Sequence, residues 1–336
     1  MSAERGGKRV SVVTPFYNTA PYLKRCIESV LAQTHADFEY ILHDNASDDG
    51  SSDIAREYAA RDARIRLVRI ENLIPQVPNY NRALALLSPD SEYCKIVQAD
   101  DWIFPECLEK MVAVAQADPR IALVSSPRWE GDVVEGDGIP SGATVMSGRE
   151  ICRWQLAGRA FVFGSPTTVM YRSDVVRGRV PFFEEGRFQE DTEVCFDILK
   201  DRDFGYVHQI LSYSRVESGS LFSRISEFDT GALGRMLLMH RYGPVYLSEQ
   251  EYLQRWAQTK DHYYSTVAKA LVCGKRGDYW RFHRRELATE GLSVDLGRLA
   301  LAMAGEVVDM IGNPKKSVGR LIRCMSNKRG ESRRGP

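Results

Sequence analysis

Over residues 10–125, five short apolar or β-branched runs alternate with segments of helical spacing, joined by short connections. Such alternation predicts a parallel sheet flanked by helices, because a parallel strand pair needs a crossover and the crossover packs on the sheet. The strands are expected at 10–14, 39–43, 65–70, in a run closing at 96–98, and at 121–125. The first helix opens at Pro21 and carries Leu23, Cys26, Ile27, Val30 and Leu31 on one face. Further helices are expected through Tyr58, over 79–87 and over 105–117.

Three polar clusters follow these strands: residues 14–18, residues 44–51, and the pair Asp100–Asp101. Placed after parallel strands, they converge on the carboxyl edge of the sheet, where open α/β folds bind ligands. The apolar run Ile96, Val97 stops abruptly at the two acids. Adjacent carboxylates repel unless a cation or proton separates them. A cation there would be Mg²⁺ or Mn²⁺, held by oxygens beside a diphosphate. The structural alternative is an acidic turn capping the helix that Pro105 opens.

Residues 131–148 lack periodicity and read as a long surface connection. A helix is expected at 148–157, a strand returning to the sheet within 161–171, a loop at 182–188, a helix from Glu190 to Lys200, and a strand over 204–214. Residues 227–312 read as helices broken near Gly243, Gly274 and Gly291. The expected organisation is therefore an α/β domain over 1–225, a helical extension over 226–312 and a basic tail over 313–336.

The chain has 336 residues, 43% hydrophobic and 27% charged, with zero net charge, so no general attraction to nucleic acid is expected. Its seven scattered cysteines show no metal-ligand spacing, which suits reduced thiols in a cytoplasmic protein. No signal-peptide core and no run of 18 apolar residues is present.

The stretches Val10-Ser-Val-Val-Thr-Pro-Phe-Tyr-Asn18, His43-Asp-Asn-Ala-Ser-Asp-Asp-Gly-Ser51, Gln98-Ala-Asp-Asp101 and Gln189-Glu-Asp191, in that order, resemble the family 2 inverting glycosyltransferases of GT-A fold. The resemblance covers roughly residues 8–225. It implies a nucleotide-sugar donor, a UDP-sugar in this reading, a divalent metal (Mn²⁺ or Mg²⁺), and a carboxylate base that deprotonates an acceptor hydroxyl. By position, Pro15 and Tyr17 fall at the nucleobase pocket with Thr14 among the donor-binding residues, Asp44 matches the acid that bonds the uracil ring, and Asp100 the acid near ribose and sugar. Asp101 matches the metal-binding acid, and Asp191 the catalytic base with Glu190 beside it. Asn79 and Arg82 sit where the family contacts ribose or sugar. Three positions depart from the pattern: Gln98 for a third acid, Asn45 for a second acid, and Glu217 for a frequent His.

The chemistry itself asks for a base on one face of the sugar and a stabiliser for the departing diphosphate on the other. Asp191 lies far in sequence from Asp101, as that separation requires; its structural alternative is charge complementarity at a helix N-terminus. Arg215 or Arg224 would pair with phosphate. Trp102 would stack on a sugar or pack in the core. Residues 315–334 hold eight basic residues against Glu331, which suits a solvated tail or contact with anionic lipid at the inner face of the membrane. The acceptor is expected to be a saccharide or a lipid-linked one, in glycan or polysaccharide assembly. Two rivals are a catalytically silent nucleotide-sugar-binding scaffold, and a dinucleotide oxidoreductase; the latter lacks its G-x-G-x-x-G turn after the first strand.

Overall fold

The computed structural model describes residues 8–187, 189–215, 228–275 and 277–312. The chain divides into two compact units, Met1–Glu217 and Ser218–Pro336.

At the centre of the first unit lies β1 (Val10–Phe16), buried along its whole length. It pairs in parallel with β2 (Phe38–Asp44) on one side and β4 (Tyr93–Ile96) on the other. β3 (Ile65–Arg69) extends the sheet beyond β2, also in parallel. The crossovers are α1 (Ala20–Leu31), α2 (Ser51–Arg61) and α3 (Gln76–Leu84). A strand buried on both faces has no polar side to show, so these strands read as continuous apolar runs. The chain first grows outward from β1 to β3, and α3 then returns it to the far side of β1. This reversal of direction is a topological switch point, and open α/β sheets bind ligands outside the carboxyl ends of the strands at such points.

Beyond β4 lie a two-residue strand β5 (Trp102–Ile103), α4 (Cys107–Ala115) and β6 (Ile121–Ser125). Then follow β7 (Arg128–Glu130), β8 (Val133–Glu135), β9 (Val145–Ser147), α5 (Gly148–Leu156), β10 (Val169–Arg172), α6 (Ser173–Gly178), α7 (Glu190–Ile198), β11 (Asp203–Tyr206) and β12 (Ser212–Ser214). The main sheet runs β3-β2-β1-β4-β10-β6-β11-β9, and a second sheet runs β5-β12-β7-β8. β10 is antiparallel to both neighbours, so it starts at the carboxyl edge of β4 and brings the turn before it, Pro166–Thr168, to that edge.

Three expectations change. The stretch 131–148 contributes two strands, β8 and β9, each held by pairing to a neighbour rather than by any local pattern. The single strand expected over 204–214 is two strands in two sheets, parted by 207–211. In the second unit, α8 (Thr230–Tyr246) runs through Gly243 and Pro244 instead of breaking there. Pro244 lies in the last turn, where the bond lost is the single one its amide would have donated to the residue 240 carbonyl. Gly243 serves packing: a Cβ there would lie 2.5 Å from the Tyr252 ring. The break comes at Ser248, which forms a reciprocal capping box with Glu251 and starts α9 (Glu249–Val272). α10 (Asp278–Thr289) and α11 (Leu296–Gly312) follow among the described residues of this unit.

Candidate active site

The two loops above β1 and β2 are stitched together. Asn18, at φ 50°, donates through Nδ2 to Asp48 Oδ1 (2.8 Å), and the Asp48 amide donates back to Asn18 Oδ1 (3.0 Å). The amides of Thr19 and Ala20 donate to Ser51 Oγ (2.9 Å) and Asp49 Oδ2 (2.9 Å). Asp44 is completely enclosed. Its oxygens accept from the Ser47 amide (2.9 Å), from Ser52 Oγ, and from Arg69 Nη1 (3.2 Å). Asn45 bonds the backbone of Ile74 through both ends of its amide, 2.8 and 3.1 Å. These two residues shape the loop, and Asp44 is enclosed in this conformation.

The other donor-side candidates divide by exposure. Thr14 is fully buried and shares a 3.0 Å hydrogen bond with Tyr40, and Pro15 is buried beside it. Asn79 is buried, its Oδ1 accepting from His43 Nδ1 at 2.7 Å. Tyr17 is 42% exposed and Arg82 is exposed, so both present atoms to solvent at this edge.

Asp100 and Asp101 stand at the switch point. Asp101 is 4% exposed; its Oδ1 accepts from the Arg215 amide (3.0 Å) and its Oδ2 from Ser214 Oγ (3.3 Å). Burial pushes the Asp101 carboxyl up to about 7, with the neighbouring Asp100 adding to the rise and Thr167, Ser214 and the Arg215 amide opposing it. Arg215 Nη2 donates to Asp100 Oδ2 at 3.1 Å, and the guanidinium lies 4.0 Å from the Tyr22 ring centroid. β12 accomplishes this by pairing with β5, which lays residues 214 and 215 against the acids. Gln98 accepts from Ser165 Oγ through its side-chain oxygen (2.9 Å), so the third acid position is tied into the wall. Arg224 and Glu217 lie outside the described residues.

At the start of α7, Asp191 is partly exposed, and its Oδ1 accepts from the Thr192 amide at 2.7 Å. Its Oδ2 accepts no hydrogen bond among the described residues. Burial raises the Asp191 pKa, and Arg128 partly opposes the rise. Thr192 Oγ1 donates to the Phe163 carbonyl at 3.2 Å. The segment 163–167 therefore touches Thr192, the residue after the base candidate, at one end. At the other, Thr167 Oγ1 accepts from the Gln98 amide (3.0 Å) and stands beside Asp101. The two ends of the site are joined by one wall, whose Gly164 lies where a Cβ would fall 2.7 Å from Arg128 Nη1.

Glu190, next to Asp191, is pushed up to about 7 by burial, with the Asp191 charge adding to the effect. An ordinary glutamate titrates near 4.5, so the folded chain binds more protons than the unfolded chain between that value and about 7. Stability contributed here is present at low pH and falls as pH rises through the window. Glu190→Gln is expected to flatten that fall, read as a smaller drop in melting temperature between pH 5 and pH 8. An unchanged drop would mean that Glu190 titrates normally.

Trp102 is packed between neighbouring side chains. Tyr213 stacks on it at 3.8 Å between centroids, and the Arg25 guanidinium lies 3.2 Å from the ring centroid. Two groups that close cannot share one face, so both faces are covered. His43, Cys94 and Cys195 are core residues, as expected. Reading the sequence did not single out Ser165, Thr167, Arg128 or Lys95. Lys95 is fully buried and donates to the carbonyls of Thr167 (2.5 Å) and Val169 (3.3 Å), bracing the wall from behind. A lysine inside the apolar run 93–97 was the available signal. A groove of about 410 Å³ lined by Arg9, Glu39, Arg64, Arg66 and Ser88 opens at the opposite, amino edge of the sheet. Its charges pair among neighbouring residues, Arg64 with Asp62 and Arg66 with Glu39.

The mixed sheet with acids at its switch point is that of a GT-A-type fold. The glycosyl transferase family 2 model matches residues 11–179, half of the chain. The chain belongs to that family and is a glycosyltransferase. It is 24% identical over 273 residues to the putative glycosyltransferase EpsH of Bacillus subtilis, covering 79% of this chain and 76% of EpsH. Among solved structures, S. aureus TarS 1–349 in complex with UDP-GlcNAc aligns with a TM-score of 0.59 at 17% identity, covering 96% of this chain and 92% of that one. The mannosyltransferase PcManGT from Pyrobaculum calidifontis, in complex with GDP-Man and Mn²⁺, aligns with a TM-score of 0.52 at 14% identity, covering 95% and 86%.

Proposed function

We propose that the α/β domain, residues 1–225, transfers a sugar with inversion from a UDP-sugar to an acceptor hydroxyl. The carrying observation is the wall 163–167, which runs from Thr167 beside Asp101 to Phe163, bonded to Thr192 next to Asp191, so that a carboxylate lies near each end. The acceptor oxygen attacks the anomeric carbon from the face opposite the diphosphate. The carbon–oxygen bond to the diphosphate breaks, its electron pair leaves with the diphosphate, and Asp191 Oδ2 takes the acceptor proton. Arg215, already against Asp100, is placed to pair with phosphate oxygens. Tyr17 presents its exposed ring to the nucleobase.

The donor set suits Mg²⁺ or Mn²⁺. These ions bind through one or two carboxylates plus substrate phosphate, without a dedicated cage. Among the described residues no cluster of three or more His, Cys, Asp or Glu could hold a metal by itself. Asp101, with Asp100 beside it, would hold the ion, whose chemistry is Lewis-acid stabilisation of the leaving diphosphate. That folds like this one hold UDP-GlcNAc in TarS and GDP-Man with Mn²⁺ in PcManGT supports a nucleotide-sugar donor and a divalent ion. A saccharide or lipid-linked acceptor in polysaccharide assembly fits the reaction class, with residues 226–312 as a helical extension and 313–336 as a basic tail.

A melting-temperature screen of nucleotide sugars with Mn²⁺ tests the reading. A ligand at 100 times its Kd stabilises by about 2.7 kcal/mol, so UDP-sugars with Mn²⁺ are expected to raise the melting temperature by at least about 3 °C. No shift with any nucleotide would overturn it. Binding without transfer to any acceptor would favour a silent scaffold.

A further inference from the structure

α11 is an amphipathic helix turned outward. At about 100° per residue, Ala300, Leu301, Ala304, Val307, Val308 and Ile311 fall on one half of its circumference. All six are exposed, Leu301 to 76%, Val308 to 68% and Ile311 to 77%. The remaining residues exposed on α11 are Leu296 and three glycines, so its solvent face carries no polar side chain. The helix's three charged residues, Arg298, Glu306 and Asp309, lie on the other half and are part-buried. Glu306 pairs with Lys269 of α9 at 3.6 Å, and Arg298 pairs with Asp261 of the same helix. A soluble surface helix normally has the reverse arrangement, apolar stripe inward and charges out. A contiguous apolar face in water marks a contact surface.

The chain that follows says what the contact is. Residues 313–336 hold Lys315, Lys316, Arg320, Arg323, Lys328, Arg329, Arg333 and Arg334 against one acid, Glu331. The first of these basic residues comes three positions after Gly312. Two copies joined through α11 would bring two such runs together and repel. An anionic lipid surface attracts the run and accepts the apolar face. Among the described residues no helix is long and apolar enough to cross a membrane, so the contact is one of lying on the surface. We propose that α11 docks its Leu301–Ala304–Val308–Ile311 face into an anionic lipid interface, with the basic residues that follow supplying the electrostatic half of the attraction. Neither signal is expected to suffice alone, because a single weak anchor binds membranes only marginally.

The test is co-sedimentation of the full chain with vesicles of phosphatidylcholine alone or with phosphatidylserine, run without donor or acceptor, so that its outcome is separate from that of the transferase reading. The native chain is expected to sediment with the anionic vesicles and remain in solution with the neutral ones. It should dissociate as salt rises, since screening acts over about 8 Å at physiological ionic strength. Leu301→Glu with Val308→Glu is expected to lower the partition coefficient at least tenfold, while Leu301→Ile with Val308→Leu keeps it. Both pairs change exposed positions, and an unchanged melting temperature confirms folding. Charge reversal of Lys315, Lys316, Arg320 and Arg323 should lower binding comparably. Full binding by the double glutamate variant would overturn the docking of α11. So would equal binding to neutral vesicles, or a native dimer in light scattering that the glutamates dissociate without any vesicle binding.

Discussion

Asp191→Asn is expected to lower acceptor-dependent transfer by about 10²–10⁴-fold, the usual worth of a general base, while leaving UDP affinity near native. The base acts on the acceptor hydroxyl and touches neither nucleobase nor metal acid. Asn keeps the volume and one oxygen, so the bond that Oδ1 accepts from the Thr192 amide survives. It also removes a charge whose burial raises the pKa, so the melting temperature should hold or rise. A purely capping role for Asp191 would therefore leave transfer intact. Glu190→Gln is the neighbouring control and should cost less. The measurement is transfer at saturating donor, beside UDP affinity and melting temperature for each variant. Near-normal transfer by Asp191→Asn would place the base elsewhere, with Glu190, Glu184 and Glu185 next in line.

The second large effect concerns Asp101. Asp101→Asn is expected to weaken metal-supported UDP binding by at least about tenfold, or about 1.4 kcal/mol. Its oxygens already accept from the Arg215 amide and Ser214, and burial beside Asp100 makes the ionised form costly. A cation favours that ionised form. The asparagine cannot ionise, so it loses the cation's contribution while keeping the volume of the site. In EDTA the native and variant chains should bind UDP alike. Calorimetry showing equal native affinity in EDTA and in Mn²⁺ would remove the metal from the site.

Much of the α/β domain was legible because its information is local. The runs at 10–14, 39–43 and 121–125 have the β-branched character of strands buried on both faces; the first two appear as β1 and β2 with ends moved by one or two residues, and the third appears as β6 with the same bounds. The helix at Pro21 announced itself by the spacing of Leu23, Cys26, Ile27 and Val30, all buried on α1. The pieces that escaped are held by partners distant in sequence. β8, β9 and β12 have three residues each, too few for any period, and exist because β7, β11 and β5 lie beside them.

The same division runs through the site. By itself, the sequence determined that acids end the fourth strand, that a second acid pair opens a helix near residue 190, and that polar clusters follow parallel strands, because strand alternation alone directs them to one edge. Only the tertiary structure decided how exposed each of those side chains is and what it bonds. Asp44, Thr14 and Asn79 spend their polar atoms on Ser47, Ser52, Tyr40 and His43, whereas Tyr17 and Arg82 stay exposed. It also decided that the antiparallel β10 brings Ser165 and Thr167 against Gln98 and Asp101, and that β12 brings Arg215 to Asp100. The reason is physical: the bonds that bring Thr167 to Gln98 and Arg215 to Asp100 span 69 and 115 residues of chain, and those of Thr14 and Asn79 span 26 and 36, which no local pattern encodes.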